Sequence, residues 1–168
     1  MTDAIKADLA AAMETYFGQD IKRITHARKV TEYAEKLLKP EGGDYSIVIA
    51  AGLLHDIGIH EAERKYNSTA GKYQEKEGPP IARELLSRLD FPPKQIEEIC
   101  QIIGHHHSPG VVNTTNFRIL YDADWLVNLK DEYPTEDWSR LSAAIEKLFL
   151  TDSGKVLAKE IYLPKPEL

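Results

Sequence analysis

The residues best suited to chemistry begin with an ionisable pair at the end of an apolar segment. His55 and Asp56 directly follow the apolar stretch IVIAAGLL of residues 47–54. A buried carboxylate without a partner is strongly destabilising, because it loses its hydration and gains nothing in return. Asp56 therefore needs a positive partner, which is either an Arg or Lys side chain or a metal cation.

A second core-like stretch carries two acids. Asp122 and Asp124 lie in the sequence YDADWL of residues 121–126. On a helix the two side chains point about 200° apart, so they cannot share one face. Asp124 follows Leu120 by four residues and lies beside the apolar stripe, whereas Asp122 fits either a supporting partner or a helix cap.

A third candidate is His26, which precedes Val30 by four residues and so projects towards the apolar side of its helix. Taken alone, it fits a buried histidine satisfied by hydrogen bonds. Together with the acids, it completes the imidazole and carboxylate set that a divalent-cation site in a helical bundle requires. Mixed nitrogen and oxygen ligands suit Mn²⁺, Fe²⁺, Co²⁺, Ni²⁺, Zn²⁺ or Mg²⁺, and the spacing does not choose among them.

The elements that position these residues are predicted to be helices, since apolar residues recur at helical spacing and seldom alternate with polar residues as in a strand. The polar segment 60–77 has no clear assignment, and Gly78-Pro79-Pro80 is expected to open a helix because proline is tolerated in a first turn. The sequence predicts one all-α domain over residues 1–168, a helical bundle with these helices: 3–17, 20–39 ending at Pro40, 46–57, 78–89, 94–104, 115–130, and one or two between 137 and 162.

Composition excludes several classes of protein. The 168 residues carry a net charge of −6, whereas proteins that bind nucleic acid usually carry clustered positive charge. The longest apolar stretch is far short of a membrane span, and the first residues have no signal-peptide pattern. The single cysteine, Cys100, is expected to be a buried thiol. We therefore expect a cytoplasmic protein that binds neither nucleic acid nor a membrane; the oligomeric state stays open, a homodimer included.

These segments resemble the HD-domain metal-dependent phosphohydrolase superfamily, whose signature is a His, a His-Asp doublet and a later Asp. The matching segments are RITH at 23–26, LHDIG at 54–58 and DADWL at 122–126. The resemblance covers a motif-bearing core of about 20–130 and leaves the C-terminal helices 137–162 outside it. It implies that one divalent cation is bound by four residues: His26, His55, Asp56 and Asp124. Asp124 is preferred over Asp122 because it precedes a large residue and a leucine.

The sequence also departs from the two-metal members of this superfamily. Gln74 stands four residues before Gly78, where those relatives have a histidine, and Ile59 stands where some have a catalytic lysine. No Gly-Tyr-Pro signature follows the histidines at 105–107. A second ion would rely on His105, His106 and a bridging Asp56, so the sequence predicts one tightly held ion and a much weaker second site.

The resemblance implies hydrolysis of a nucleotide or similar small phosphate ester by metal-activated water. The implied catalytic residues are Asp56, Asp124, His105 and His106. The histidines 105–107 fit either a solvated loop or a pocket wall that donates hydrogen bonds and protons. Candidate phosphate-binding residues are Arg23, Arg64 and Lys72. The alternative is a catalytically weak module that senses a nucleotide or a metal.

Overall fold

The computed structural model describes residues 2–164, and within that range the chain forms helices and no strands. The all-α prediction is confirmed. Of the one or two helices expected between 137 and 162, the structure has two, which end and begin at Leu148 and Asp152. The helices are α1 (Thr2–Phe17), α2 (Ile21–Glu41), α3 (Tyr45–Leu54), α4 (Ile59–Tyr66), α5 (Gly71–Arg88), α6 (Pro93–Ile103), α7 (Thr115–Glu132), α8 (Trp138–Leu148) and α9 (Asp152–Tyr162).

Helix α3 lies at the centre of the bundle, as its apolar sequence requires. All eight residues of 47–54 are buried, because α1, α2, α6 and α7 each pack against this helix. A helix that is apolar on every side is stable only when it is enclosed in this way. Helices α8 and α9 lie outside this layer, where α9 packs on α2 and α7. None of the helices in the described range is long and apolar enough to span a membrane.

Helix α2 continues past Pro40, where the sequence predicted its end. Pro40 sits in the last turn, and the helix ends at Glu41. Gly42 is its C-cap and adopts a left-handed φ of 76°. The backbone N–H groups of Gly42 and Gly43 both donate to the Leu38 carbonyl and close the helix. The glycine after the proline, rather than the proline itself, therefore sets the end of α2.

The prediction that Gly78 opens a helix is wrong. The polar segment 60–77 contains most of α4 and the first part of α5, and Gly78, Pro79 and Pro80 all lie inside α5. The two prolines remove two backbone donors, but α5 packs against both α4 and α6, which compensates for the loss. Close packing requires a glycine at both 58 and 78, because a Cβ on Gly58 would lie 2.5 Å from the Gly78 nitrogen and a Cβ on Gly78 would lie 2.8 Å from Ile103 Cγ2.

Asp122 has a structural role in joining α7 to the loop before α9. Its buried carboxylate accepts hydrogen bonds from the Leu150 N–H at 2.9 Å, the Thr151 N–H at 2.8 Å and the Thr151 hydroxyl at 2.6 Å. Burial raises the pKa of Asp122 to about 6 despite these donors. Gly154 leaves space for the carboxylate, since a Cβ there would clash with it. The structure thus makes Asp122 the side chain that holds Thr151, which in turn caps the N-terminus of α9.

Candidate metal centre

Three separate elements bring four ionisable side chains to one point. His26 lies in the second turn of α2, His55 and Asp56 follow the end of α3, and Asp124 lies in the middle of α7. His26 Nε2 is 3.2 Å from Asp56 Oδ2 and 3.2 Å from Asp124 Oδ1. His55 Nε2 is 3.3 Å from Asp56 Oδ2 and 3.4 Å from Asp124 Oδ1. We call these four residues the metal cluster.

The orientation of His55 shows that the metal cluster fits a cation. Its Nδ1 is 2.8 Å from the Gly52 carbonyl, to which it must donate a proton. In the neutral ring, Nε2 is then left with a lone pair. That lone pair faces His26 Nε2 at 3.3 Å and the two carboxylate oxygens. Several lone pairs that converge on a small space repel one another unless a positive charge lies between them, and nitrogen with oxygen is a donor set that divalent transition metals accept.

The electrostatics of the metal cluster favour positive charge. Asp56 and Asp124 are 8% and 7% exposed, and burial alone would oppose their ionisation. The neighbouring His55 outweighs that burial and holds the pKa of each carboxyl well below its usual range. Burial likewise opposes a charge on His26 and His55, but Asp56 and Asp124 raise the pKa of each imidazole above its ordinary value. The two carboxylates therefore attract protons or a metal cation to this point.

A second group of ligand atoms adjoins the metal cluster through Asp56. One ligand atom each from Asp56, His106 and His107 lies within 4.8 Å of the other two. His106 donates from Nδ1 to the Ile103 carbonyl at 2.7 Å, and its Nε2 lies 3.3 Å from Asp56 Oδ1. That buried Nε2 has no hydrogen-bond partner among the described residues. Because Asp56 presents one oxygen to each group, it is placed to bridge two cations.

Gln74 weakens this second group. Its amide nitrogen donates to the Thr69 carbonyl at 2.6 Å, so its oxygen is left to accept from His107 Nε2 at 2.9 Å. His107 Nε2 then carries a proton and cannot bind a metal while this bond persists. The His107 ring packs against Gly71 and His106, and burial together with the charge of His106 lowers its pKa to about 4.

The histidine pair at this site is 106 and 107, whereas the sequence named 105 and 106. His105 bonds through Nδ1 to the Gln101 carbonyl at 2.9 Å and lines neither of the cavities beside the metal cluster. The chain leaves α6 at Gly104 through consecutive turns, after which His106 and His107, but not His105, line these cavities. The sequence of three consecutive histidines does not show which of them reach the site, because that depends on the geometry of the turn.

A cavity of about 320 Å³ opens beside the metal cluster. Lys22 and Arg23 of α2 line it, so one of the three predicted phosphate-binding residues faces this space. Arg64 instead pairs with Glu61, and the Lys72 ammonium lies 4.9 Å from the centre of the Tyr73 ring. Neither Arg64 nor Lys72 lines this cavity.

Sequence reasoning also missed Asn128. It lines the cavity, and its side-chain amide donates to Asp124 Oδ1 at 2.9 Å. Residues four apart on a helix are neighbours, so the spacing from Asp124 was a usable signal. Lys22 lies next to Arg23 and could have been found from that adjacency.

Sequence similarity identifies the class of protein to which this chain belongs. The family model described as "HD domain" matches residues 23–129. The chain belongs to the HD domain family, whose members are generally metal-dependent hydrolases. The matched range contains every residue of the metal cluster.

A solved structure has the same fold. It is the crystal structure of a predicted HD superfamily hydrolase from an uncultured Thermotogales bacterium, with a TM-score of 0.69 and 24% sequence identity. The match covers 93% of this chain and 84% of that one. The sequence has no significant match among curated proteins.

Proposed function

We propose that this chain is a divalent-metal-dependent phosphohydrolase that acts on a nucleotide or a similar small phosphate ester. The observation that carries the proposal is that the Nε2 atoms of His26 and His55 each lie within 3.4 Å of a carboxylate oxygen of Asp56 and of Asp124, in a range that matches the HD domain. The adjoining cavity, with Lys22 and Arg23 in its wall, supplies positive charge for an anionic ester.

The metal cluster is the proposed binding site of the ion. A divalent ion there would lower the pKa of water and neutralise phosphoryl oxygens. Among the residues of the chain, Asp124 orients the attacking water, and Asn128 fixes the Asp124 carboxylate through its amide. Arg23 and Lys22 bind the phosphate. His106 donates from Nδ1 to the Ile103 carbonyl, so its Nε2 has a free lone pair, which takes a proton from the attacking water and passes it to the departing oxygen.

We also propose that one ion is held tightly and a second much more weakly. The first group offers four side chains that are already directed at one point. The second group shares Asp56 with the first and loses His107 Nε2 to the hydrogen bond with Gln74. A second ion is then left with Nδ1 as the one ligand atom of that ring and with an Asp56 carboxylate that it shares with the first ion, and both lower its affinity.

The test is hydrolysis of nucleoside mono-, di- and triphosphates, cyclic nucleotides and sugar phosphates, each with Mn²⁺, Co²⁺, Ni²⁺ or Mg²⁺, with the organic product measured by chromatography beside released phosphate or pyrophosphate. We expect turnover that stops when the metal is chelated and that is lost in Asp124→Asn. The matched control is Glu63→Gln, which makes the same change of acid to amide on the exposed surface of α4 and should retain full activity. An absence of hydrolysis with every metal and ester would contradict the proposal.

The Gln74–His107 bond favours one alternative function. If the second group of ligands is needed for turnover, its loss leaves a module that binds a nucleotide or metal without hydrolysing it. Calorimetric binding of the same compounds, without phosphate release, would be the result expected of a sensor.

A further inference from the structure

The turn after α6, residues 104–108, carries the two histidines that adjoin the metal cluster. Within it, the Ser108 N–H donates to the His105 carbonyl at 2.8 Å, and His106 Nδ1 donates to the Ile103 carbonyl at 2.7 Å. These bonds join the turn to itself and to α6. Its position relative to the rest of the site therefore depends on contacts with other helices.

One side of α5 makes such contacts. Gly71, Gln74 and Glu75 are three and four residues apart, so they lie on the same side of this helix. The His107 ring lies so close to Gly71 that a Cβ there would be 3.0 Å from the ring Cγ. Gln74 Oε1 accepts from Nε2 of the same ring at 2.9 Å. The side chain of His107 is thus packed on the first turns of α5.

Glu75 contacts the turn itself rather than a ring. One of its carboxylate oxygens accepts from the His107 N–H at 3.0 Å, and the other accepts from the Ser108 hydroxyl at 2.9 Å. Hydrogen bonds to an ionised acceptor are stronger than those between neutral groups. Because the two bonds reach successive residues, they fix both the position and the direction of this part of the turn.

These bonds act on His106 through the chain. The His107 N–H belongs to the planar peptide group that follows His106, so holding that group fixes the ψ angle of His106. The allowed side-chain rotamers follow from the backbone conformation, and here they place His106 Nε2 3.3 Å from Asp56 Oδ1. A displacement of about 1 Å at a reacting group can lower a rate by about a hundredfold. Glu75 itself lines neither cavity beside the metal cluster.

We propose that Glu75 is a positioning residue for the reaction, which holds the turn after α6 so that His106 and His107 adjoin the metal cluster. Its carboxylate serves as the acceptor of two hydrogen bonds and neither gives nor takes a proton in the reaction. The inference rests on the proposed function and goes beyond it by assigning a role to a residue outside both cavities.

Two substitutions at Glu75 separate this role from that of an acid or a base. Glu75→Ala removes both acceptors. Glu75→Gln keeps one oxygen for the His107 N–H, and its amide group can donate to the Ser108 hydroxyl oxygen, so both contacts persist. The matched control is Glu84→Ala, the same change at an exposed position of α5, where the side chain pairs with Arg88 outside the site.

We expect Glu75→Ala to lower kcat with Mn²⁺ by about tenfold and to leave KM and the affinity of the tightly held ion unchanged. Glu75→Gln and Glu84→Ala should both keep the wild-type kcat. No loss in Glu75→Ala, or an equal loss in Glu75→Gln, overturns the inference. A parallel loss of metal affinity in Glu75→Ala also overturns it, because the residue would then support the fold in general.

A second measurement needs no turnover. In ¹⁵N NMR spectra of the metal-free chain with labelled histidines, at alkaline pH, the turn held by Glu75 keeps the proton of His106 on Nδ1 and that of His107 on Nε2. We expect Glu75→Ala to average the two nitrogen signals of each ring, Ser108→Ala to do so in part, and Glu75→Gln to keep them distinct.

The NMR result stands apart from the proposed function. Averaged signals in Glu75→Ala support the inference even if no ester is hydrolysed, and in that case only the proposed function fails. A His106 ring that keeps its proton on Nδ1 in Glu75→Ala overturns the inference whether or not the chain is a hydrolase.

Discussion

At the scale of residues, the two aspartates of α7 have different partners although only one residue separates them. Asp124 faces His26 and His55, whereas Asp122 accepts hydrogen bonds from Leu150 and Thr151. Two helical positions correspond to a rotation of about 200°, which directs the Asp124 carboxylate towards the proposed ion and the Asp122 carboxylate towards α9. The two side chains therefore form a matched pair for mutation.

We expect Asp124→Ala to abolish metal binding with little loss of stability in the metal-free chain, because it removes a carboxylate from a crowded group of lone pairs. Asp122→Ala should leave metal binding intact and lower the free energy of unfolding by about 2–3 kcal/mol, since buried donors at Leu150 and Thr151 lose their acceptor. Metal titration and urea denaturation of both variants measure the two effects. Loss of metal binding in Asp122→Ala alone would reverse the assignment.

At the scale of elements, α2 is held at its first turn by a side-chain pair. Asp20 caps the helix through the Arg23 N–H at 3.3 Å, and its other oxygen lies 2.7 Å from His60 Nε2 of α4. This turn carries Arg23 and lies one turn before His26, so the Asp20–His60 pair positions both the cavity wall and the metal cluster. The hydrogen bond with His60 lowers the pKa of Asp20 below its ordinary value.

We expect Asp20→Ala to reduce the free energy of unfolding by about 1 kcal/mol, the usual contribution of an N-cap. Because the folded pKa of Asp20 is lowered, its stabilisation is present above the unfolded value near pH 4 and is lost as the pH falls further. His60→Ala should make stability less sensitive to pH in that acidic range, which denaturation curves between pH 2 and pH 7 would show, with about pH 4 as the expected onset. An unchanged acid profile in His60→Ala would contradict this role.

At the scale of the whole molecule, the metal cluster joins α2, α3 and α7, so an ion bound there cross-links the bundle. Helices α2 and α7 both pack on α3, and the cluster lies where the three meet. Any ligand that binds the folded chain and not the unfolded chain raises stability by mass action. Ion binding should therefore be visible in unfolding as well as in activity.

We expect Mn²⁺ at about 100 times its Kd to stabilise the chain by about 2.7 kcal/mol and to raise Tm by about 5–10 °C. Asp56→Ala should lose this shift while the metal-free chain keeps most of its stability, because the lost contacts with the imidazoles are offset by relief of the cost of burying the carboxylate. After extensive dialysis, elemental analysis should find about one ion per chain, as the loss of His107 Nε2 to Gln74 implies. Two retained ions would contradict the single tight site, and no shift with any divalent ion would contradict the metal site itself.

The sequence by itself determined the all-α class, most of the helices and the chemical types at the site. Periodicity is a local property, so the apolar faces and the enclosed helix at 47–54 could be predicted without tertiary information. The same holds for the unusual position of His55 and Asp56, two ionisable residues that directly follow this buried segment. Local rules failed at Gly78-Pro79-Pro80, because close packing against Gly58 keeps α5 helical through two prolines.

The tertiary structure alone decided which side chains meet. His107 rather than His105 reaches the site because of the turn after α6, and Arg23 lines the cavity while Arg64 turns to Glu61. The sequence put Asp122 and Asp124 on different faces of one helix, and the packing on each side of α7 decided the partners of each carboxylate. The rotation of a helix about its axis and the path of a turn depend on packing between distant segments, and spacing along one segment does not contain that information.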